Sequence, residues 1–197
     1  MDGRPATPDD IDAVTNTLSA AFFNDPVWSW AFPDAARRKE QFPPWWRRLV
    51  AQGVANNSAW TTPGYEAATI WVPPGETELN QQDIDAEPAL VIELLGEEQG
   101  NKVNEMLNRF EAAHPHDEPH WYLSMVGTHP EHRGNGFGVA LIAQNLEGID
   151  ERHEPAYLES SNPVNHARYE RLGFEPIAPF NTGSGGPDVL AMWRPAR

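Results

Sequence analysis

Cysteine is absent from this 197-residue chain, which excludes disulfides, thiolate metal sites and cysteine nucleophiles. Positive charge is scarce: 14 Lys and Arg stand against 29 Asp and Glu, a formal net charge of −15. Proteins that hold phosphate backbones or anionic membranes need a basic footprint, so neither nucleic acid nor a membrane surface is an expected partner. The same acidic surface favours solubility and suits a cationic or amine partner. Long apolar runs are also lacking, none approaching the ~18–20 residues of a membrane-spanning helix. Met1-Asp2-Gly3-Arg4-Pro5 has no basic-then-apolar order, so a cytoplasmic location is expected. What the chain does have is 40% hydrophobic residues with 15 Gly and 19 Pro as punctuation, enough for one core. We therefore expect a single domain over residues 1–197.

Thr7-Pro8-Asp9-Asp10 has the form of a helix start, with Asp10 placed to reach back as the acid of a capping box. Ile11, Val14, Leu18, Ala21 and Phe22 repeat at helical spacing, and Asn24-Asp25-Pro26 stops that helix. Val27 to Phe32 is too aromatic for a free linker. A second helix is expected after Asp34, kinked or divided at Pro43-Pro44. Ala59-Trp60-Thr61 and Ala67 to Val72 read as a hairpin across Pro63-Gly64. Residues 83–113 are helical in composition with a break near Gly96 to Gly100. Strands are expected at 121–128, 156–160 and 189–193, helices after Gly138 and over 164–172, and a further extended segment from Phe174. Helices and strands mixed in one short chain indicate an α/β or α+β fold with helices covering a sheet.

The most informative stretch runs from His120 to Gly138. An aromatic and β-branched run breaks at His129-Pro130, passes through a Gly-rich turn and enters the helical pattern Val139, Leu141, Ile142, Leu146, Ile149. Strand, tight turn and helix in this order aim backbone N–H groups and a helix N-terminus at one point, a site for phosphate. The dinucleotide fingerprint belongs near a first strand, and no GxxxxGK[ST] exists, so Rossmann and P-loop readings fail. Alternate histidines at 114, 116 and 120 lie in a polar connector and are read as solvated, with no metal expected.

Val126-Gly127-Thr128-His129-Pro130-Glu131-His132-Arg133-Gly134-Asn135-Gly136-Phe137-Gly138 resembles the acetyl-CoA motif of the GNAT N-acetyltransferase superfamily. The second family block is present as Tyr157-Leu158-Glu159-Ser160-Ser161 followed by Asn165 to Phe174. Within that superfamily the phrases Glu118 to Leu123, Leu158 to Pro163 and Tyr169 to Phe174 resemble puromycin N-acetyltransferase and related aminonucleoside-resistance enzymes. The resemblance implies a central, mixed, mostly antiparallel sheet with a splayed pair of parallel strands, covered by helices on both faces. It implies acetyl-CoA as cosubstrate and a small primary amine as acceptor, acting in a monomer or homodimer.

Position by position, the resemblance implies that Met125, Val126 and Thr128 pair with the pantetheine arm. Arg133, Gly134, Asn135, Gly136, Phe137 and Gly138 would hold the pyrophosphate through backbone N–H groups, with Arg133 adding charge-assisted bonds. Asn165 matches a pantetheine-contacting asparagine, and Tyr169 the tyrosine whose phenol protonates the leaving thiolate. Many relatives carry a glutamate on the strand before the loop, but 121–128 contains no acid. Glu159 and His120 are the candidates to remove the amine proton. Asp25 and Trp28 lie where an acceptor is usually received, Asp25 suited to an ammonium. Acetylation of a protein or peptide amine, or non-catalytic acyl-CoA binding, are the alternative readings.

Overall fold

The computed structural model describes residues 2–197. After the two-residue strand β1 (Arg4–Pro5), a 3-10 turn at Pro8–Asp10 leads into α1 (Ile11–Phe22). Asp10 does reach back: its Oδ2 accepts from the Thr7 N–H at 2.8 Å, while both its oxygens receive Arg4 at 2.7 Å. This carboxylate fixes β1 and the start of α1 to one point.

Asn24-Asp25-Pro26 ends α1 but also starts α2 (Pro26–Ala31), a six-residue helix that the sequence reading left unassigned. Asp25 caps it and Pro26 takes the first position, where a missing N–H costs nothing. α3 (Ala35–Ala55) continues through Pro43 and Pro44, so of the two expectations, a kink or a division, the division does not occur. Phe42, Trp45 and Trp46 are each at most 2% exposed and clamp the segment from one side, while Pro44 faces water. Packing outweighs the local cost of the prolines.

β2 (Ala59–Thr61) and β3 (Ala67–Val72) form the expected hairpin. α4 (Gln81–Leu95) and α5 (Glu97–Ala113) meet at Gly96, whose φ of +80° makes the turn. β4 (Trp121–Thr128), α6 (Phe137–Asp150), β5 (Ala156–Ser160), α7 (His166–Arg171), β6 (Glu175–Asn181) and β7 (Asp188–Arg194) complete the chain. The sheet order is β1-β2-β3-β4-β5-β7-β6, antiparallel throughout except for β4 and β5. β6 is an edge carrying Pro176 and Pro179, residues that hinder further strand pairing. Among the described residues no helix is long and apolar enough to cross a membrane.

Two apolar clusters lie on opposite faces of the sheet. One joins α1, α2, α3, α4 and α5 to Ile70 and Met125; the other joins α6 and α7 to Trp71, Leu123 and Leu158. Asn145 of α6 adds a polar pin, its Oδ1 accepting from Thr69 Oγ1 at 2.7 Å and Trp71 Nε1 at 3.0 Å.

β4 is the strand that positions the site. Against β3, Trp71 pairs with Leu123 and Ile70 with Met125, so Ser124 is an extra residue, a β-bulge. Before the bulge Leu123 faces the α6 cluster; after it Met125 faces the α1 cluster. Gly127 follows on the α1 side, where an added Cβ would lie 2.6 Å from Ala21 Cβ and 2.9 Å from Leu18 Cδ2. The parallel register with β5 covers only Trp121, Tyr122 and Leu123, which pair with Ala156, Tyr157 and Leu158. Beyond Leu123 the two strands part, and among the described residues the β4 edge facing β5 has no strand partner.

Candidate active site

The splay opens into a cavity of about 570 Å³. Its floor at one end is the turn after β4. Gly134 and Gly136 have φ of +86° and +79°, and nothing lies within 4 Å of where their Cβ atoms would be, so the backbone is open to a ligand. Gly136 caps α6, and its carbonyl accepts the Ala140 N–H at 2.9 Å. The N–H groups of Phe137, Gly138 and Val139 precede that first helical bond and have no acceptor within the helix. Gly138 is close against β4: a Cβ there would lie 2.7 Å from Thr128 Oγ1. The result is a nest of N–H donors at the positive end of a 14-residue helix, suited to a pyrophosphate.

Met125, Val126, Thr128, Arg133, Gly134, Gly136, Phe137 and Gly138 all line this cavity, as do Asn165 and Tyr169 from the other wall. Asn135 does not line it; its side chain donates to the His132 carbonyl at 3.1 Å and shapes the turn. Arg133 is held by the Ala21 carbonyl at the end of α1, 2.7 Å from its Nη2. Arg168, which the sequence reading passed over, also lines the cavity and donates to Asn165 Oδ1. These two arginines bring positive charge to the cavity of a strongly acidic protein. On the turn leading into the cradle, His129, Glu131 and His132 bring three potential metal-ligand atoms within 4.8 Å of one another.

Tyr169 is buried, its ring packing edge-on against Phe174 at 6.3 Å, and its hydroxyl has no hydrogen-bond partner among the described residues. Burial, then the nearby Asp25 carboxyl, pushes its phenol pKa up, so it keeps its proton. Asp25 borders the same space but is fully engaged. Its Oδ1 accepts from the Val27 and Trp28 N–H groups at 3.0 and 3.3 Å, and its Oδ2 from Ser161 at 2.7 Å. Trp28 lines the cavity edge-on to Trp46, with ring centroids 4.5 Å apart.

Glu159 reaches the cavity from β5, and its side chain is only 3% exposed. Tyr122 donates to one oxygen at 2.7 Å and Tyr157 to the other at 3.0 Å. Those tyrosines are paired in the parallel register, which sets both hydroxyls on the same carboxyl. Desolvation raises the Glu159 pKa to about 8; the two hydroxyls oppose this, and the charge of Glu78 adds to it. Glu78, on the loop after β3, is the residue that sequence reasoning missed. It lines the cavity, accepts a hydrogen bond from Ser124 at the bulge, and has its carboxyl pushed up to about 7 by burial.

His120 does not line the cavity. Its Nδ1 lies 2.7 Å from the Glu118 carbonyl, which can only accept, so Nδ1 carries the proton. Its Nε2 is then an acceptor, 3.0 Å from His114 Nε2, which must donate. His114 Nδ1 is left as a lone pair, 4.0 Å from a Glu159 oxygen. Burial, then the neighbouring His120 and His116, lower the His114 pKa to about 4, so this imidazole is neutral at pH 7. The histidine pair supports the wall behind Glu159.

The model of the acetyltransferase (GNAT) family matches residues 59–174. The fold superposes on a Corynebacterium glutamicum protein described as histone acetyltransferase HPA2 and related acetyltransferase, with TM-score 0.62 and 26% identity over 99% of this chain and 96% of the other. It also superposes on polyamine N-acetyltransferase from Drosophila melanogaster, with TM-score 0.64 and 15% identity over 98% and 99% of the two chains. Arylalkylamine N-acetyltransferase 2 from Aedes aegypti gives TM-score 0.66 and 12% identity over 100% and 99%. The family match spans more than half the chain, from β2 through the splayed strands and the glycine cradle to Phe174. The chain therefore belongs to the GNAT acetyltransferase family and is an acetyl-CoA-dependent N-acetyltransferase.

Proposed function

We propose that the protein transfers the acetyl group of acetyl-CoA to a primary amine of a small molecule while both substrates are bound together. One observation carries this reading: a single cavity joins the glycine cradle, the open edge of β4, the buried carboxyl of Glu159 and the free hydroxyl of Tyr169. The polyamine and arylalkylamine acetyltransferases that share the fold are named for small amines, which supports the same class of acceptor. An aminonucleoside or other antibiotic-like amine belongs to this class, and the puromycin-acetyltransferase-like phrases at 118–123, 158–163 and 169–174 support it.

Acetyl-CoA supplies an electrophilic thioester; the chain supplies position and proton transfer. Phosphate oxygens would take the N–H groups after Gly134, with Arg133 and Arg168 nearby, and the pantetheine arm would pair along Met125 to Thr128. An amine reaches the cavity mainly as ammonium. Glu159, with its pKa near 8, takes one of its protons when ionised. The nitrogen forms the new C–N bond as the C–S bond breaks. Tyr169, which keeps its proton by burial, donates it to sulfur and regains one from the second proton that the acylated nitrogen sheds.

The test is release of free thiol when protein and acetyl-CoA are mixed with a panel of amines. Acceleration by small primary amines is the expected result. Tight calorimetric binding of CoA with no amine-dependent thiol release would sink the proposal.

A further inference from the structure

Four carboxyls, Asp25, Glu78, Glu87 and Glu159, line the cavity against two arginines, Arg133 after the glycine turn and Arg168 beside Asn165 and Tyr169. Two of these carboxylates are already satisfied. Asp25 caps α2 and accepts from two backbone N–H groups and Ser161. Glu87 pairs with Arg48 at 3.2 Å, whose guanidinium stacks on Trp45 at 4.5 Å.

Neither Glu78 nor Glu159 makes an ion pair with Lys or Arg among the described residues, and each receives hydrogen bonds from hydroxyls only, Ser124 on one and two tyrosines on the other; Arg48, paired with Glu87, offsets only part of the cost of charging Glu78. The second oxygen of Glu78 has no donor among the described residues. Both groups interact electrostatically with Tyr122, so they flank the same point at the mouth of the splay. Two desolvated carboxyls that make no ion pair are costly to ionise unless a ligand brings the charge. A monoamine brings one positive charge for two carboxyls. Phe22 and Trp28, with ring centroids 5.2 and 4.5 Å from that of Trp46, form with it a wall of π faces and edges compatible with a cationic chain.

We propose that the acceptor carries a second cationic group, with the reacting amine at Glu159 and the second cation held by Glu78. This rests on the reading of Glu159 as the base. Glu78 is the specificity-determining residue, anchoring charge one step from the reacting nitrogen.

The experiment compares unbranched α,ω-diamines of several chain lengths with the n-alkylamines of equal length, at fixed pH and ionic strength. The best diamine should exceed its matched monoamine in kcat/KM by about 10- to 100-fold, the range of one hydrogen-bonded charge contact. Glu78→Gln should collapse that ratio toward one. Equal rates for every matched pair would overturn the proposal, as would a Glu78→Gln variant that slows both members equally, since Glu78 would then act on the reacting nitrogen. If no amine is acetylated, the base reading has failed, and calorimetry of the CoA-loaded protein decides the present proposal separately. Tighter binding of 1,4-diaminobutane than of butylamine, lost in Glu78→Gln, supports it; equal affinity overturns it.

Discussion

Glu159→Gln separates the proposed base from everything else in the cavity. A base acts when ionised, so with a pKa near 8 the rate should climb about tenfold from pH 6 to 7, about fivefold from 7 to 8, and level off above. At pH 7 only about one-tenth of the protein is competent. The amine titrates too, but it does so identically with both proteins, so the ratio of their kcat/KM values isolates Glu159. That ratio should reach about 10²–10⁴ at pH 9 and shrink as the pH falls to 6, where the wild-type carboxyl is already protonated. The substitution has a second signature in stability. The folded protein holds a proton on Glu159 up to about pH 8, whereas an unfolded Glu loses it near 4.5. Between those values the folded state binds more protons, so stability falls as pH rises, by up to roughly 4–5 kcal/mol in total. Glu159→Gln should therefore melt at higher temperature than wild type at pH 9 and equally at pH 4. A wild-type acid limb unchanged in the variant would place the base elsewhere, and unchanged alkaline melting would show that the carboxyl is not desolvated.

The remaining predictions test neighbouring parts. Tyr122→Phe removes the shorter of the two hydrogen bonds to the Glu159 carboxylate, so the midpoint of the pH–rate profile should rise by about 1–2 units. Tyr169→Phe should lower kcat by about 10²-fold or more and leave acetyl-CoA affinity near wild type by calorimetry, and unchanged turnover would remove its hydroxyl from the proton path. Gly136→Asp keeps a residue tolerant of the left-handed conformation but places negative charge at the α6 N-terminus, so acetyl-CoA affinity should fall by at least about tenfold while the fold survives. Gly127→Ala forces a Cβ against Ala21 and Leu18 and should cost about 1–3 kcal/mol in chemical denaturation, through the spacing of α1 from β4.

Long periodic elements were legible in the sequence: α1, the β2–β3 hairpin, and above all β4, its turn and α6, where a change of period coincides with glycines. α2 was not, since six residues hold less than two turns of pattern and Asp25-Pro26 stops one helix while starting the next. The two-residue β1 has no period to detect. The prolines of α3 were read by their local cost, which the buried Phe42, Trp45 and Trp46 overcome. At the site, motif spacing located the cradle and Glu159 but not what surrounds that carboxyl. The pairing of Tyr122 with Tyr157 exists only in the register of two strands some 35 residues apart. Glu78 sits in a Pro- and Gly-rich loop whose sequence carries no sign of chemistry, and only folding brings it to Ser124.

That last contact bears on the missing strand acid. β4 has no carboxylate, yet its bulge residue Ser124 receives Glu78 from the preceding loop while Glu159 arrives from the next strand. Two acids thus converge on the splay from either side of a strand that supplies none. Their pKa values, near 7 and 8, are raised chiefly by burial; Glu87 adds to the first and Glu78 to the second, so binding a cation to Glu78 eases ionisation of Glu159. A strand-borne acid would have fixed one charge at one place. Here a cation at Glu78 lowers the pKa of Glu159, so an acceptor with a second positive charge would make its own base more available near neutral pH. The strength of that coupling can be read directly: the pH–rate midpoint should lie lower with a diamine than with its matched monoamine, and the difference should vanish in Glu78→Gln.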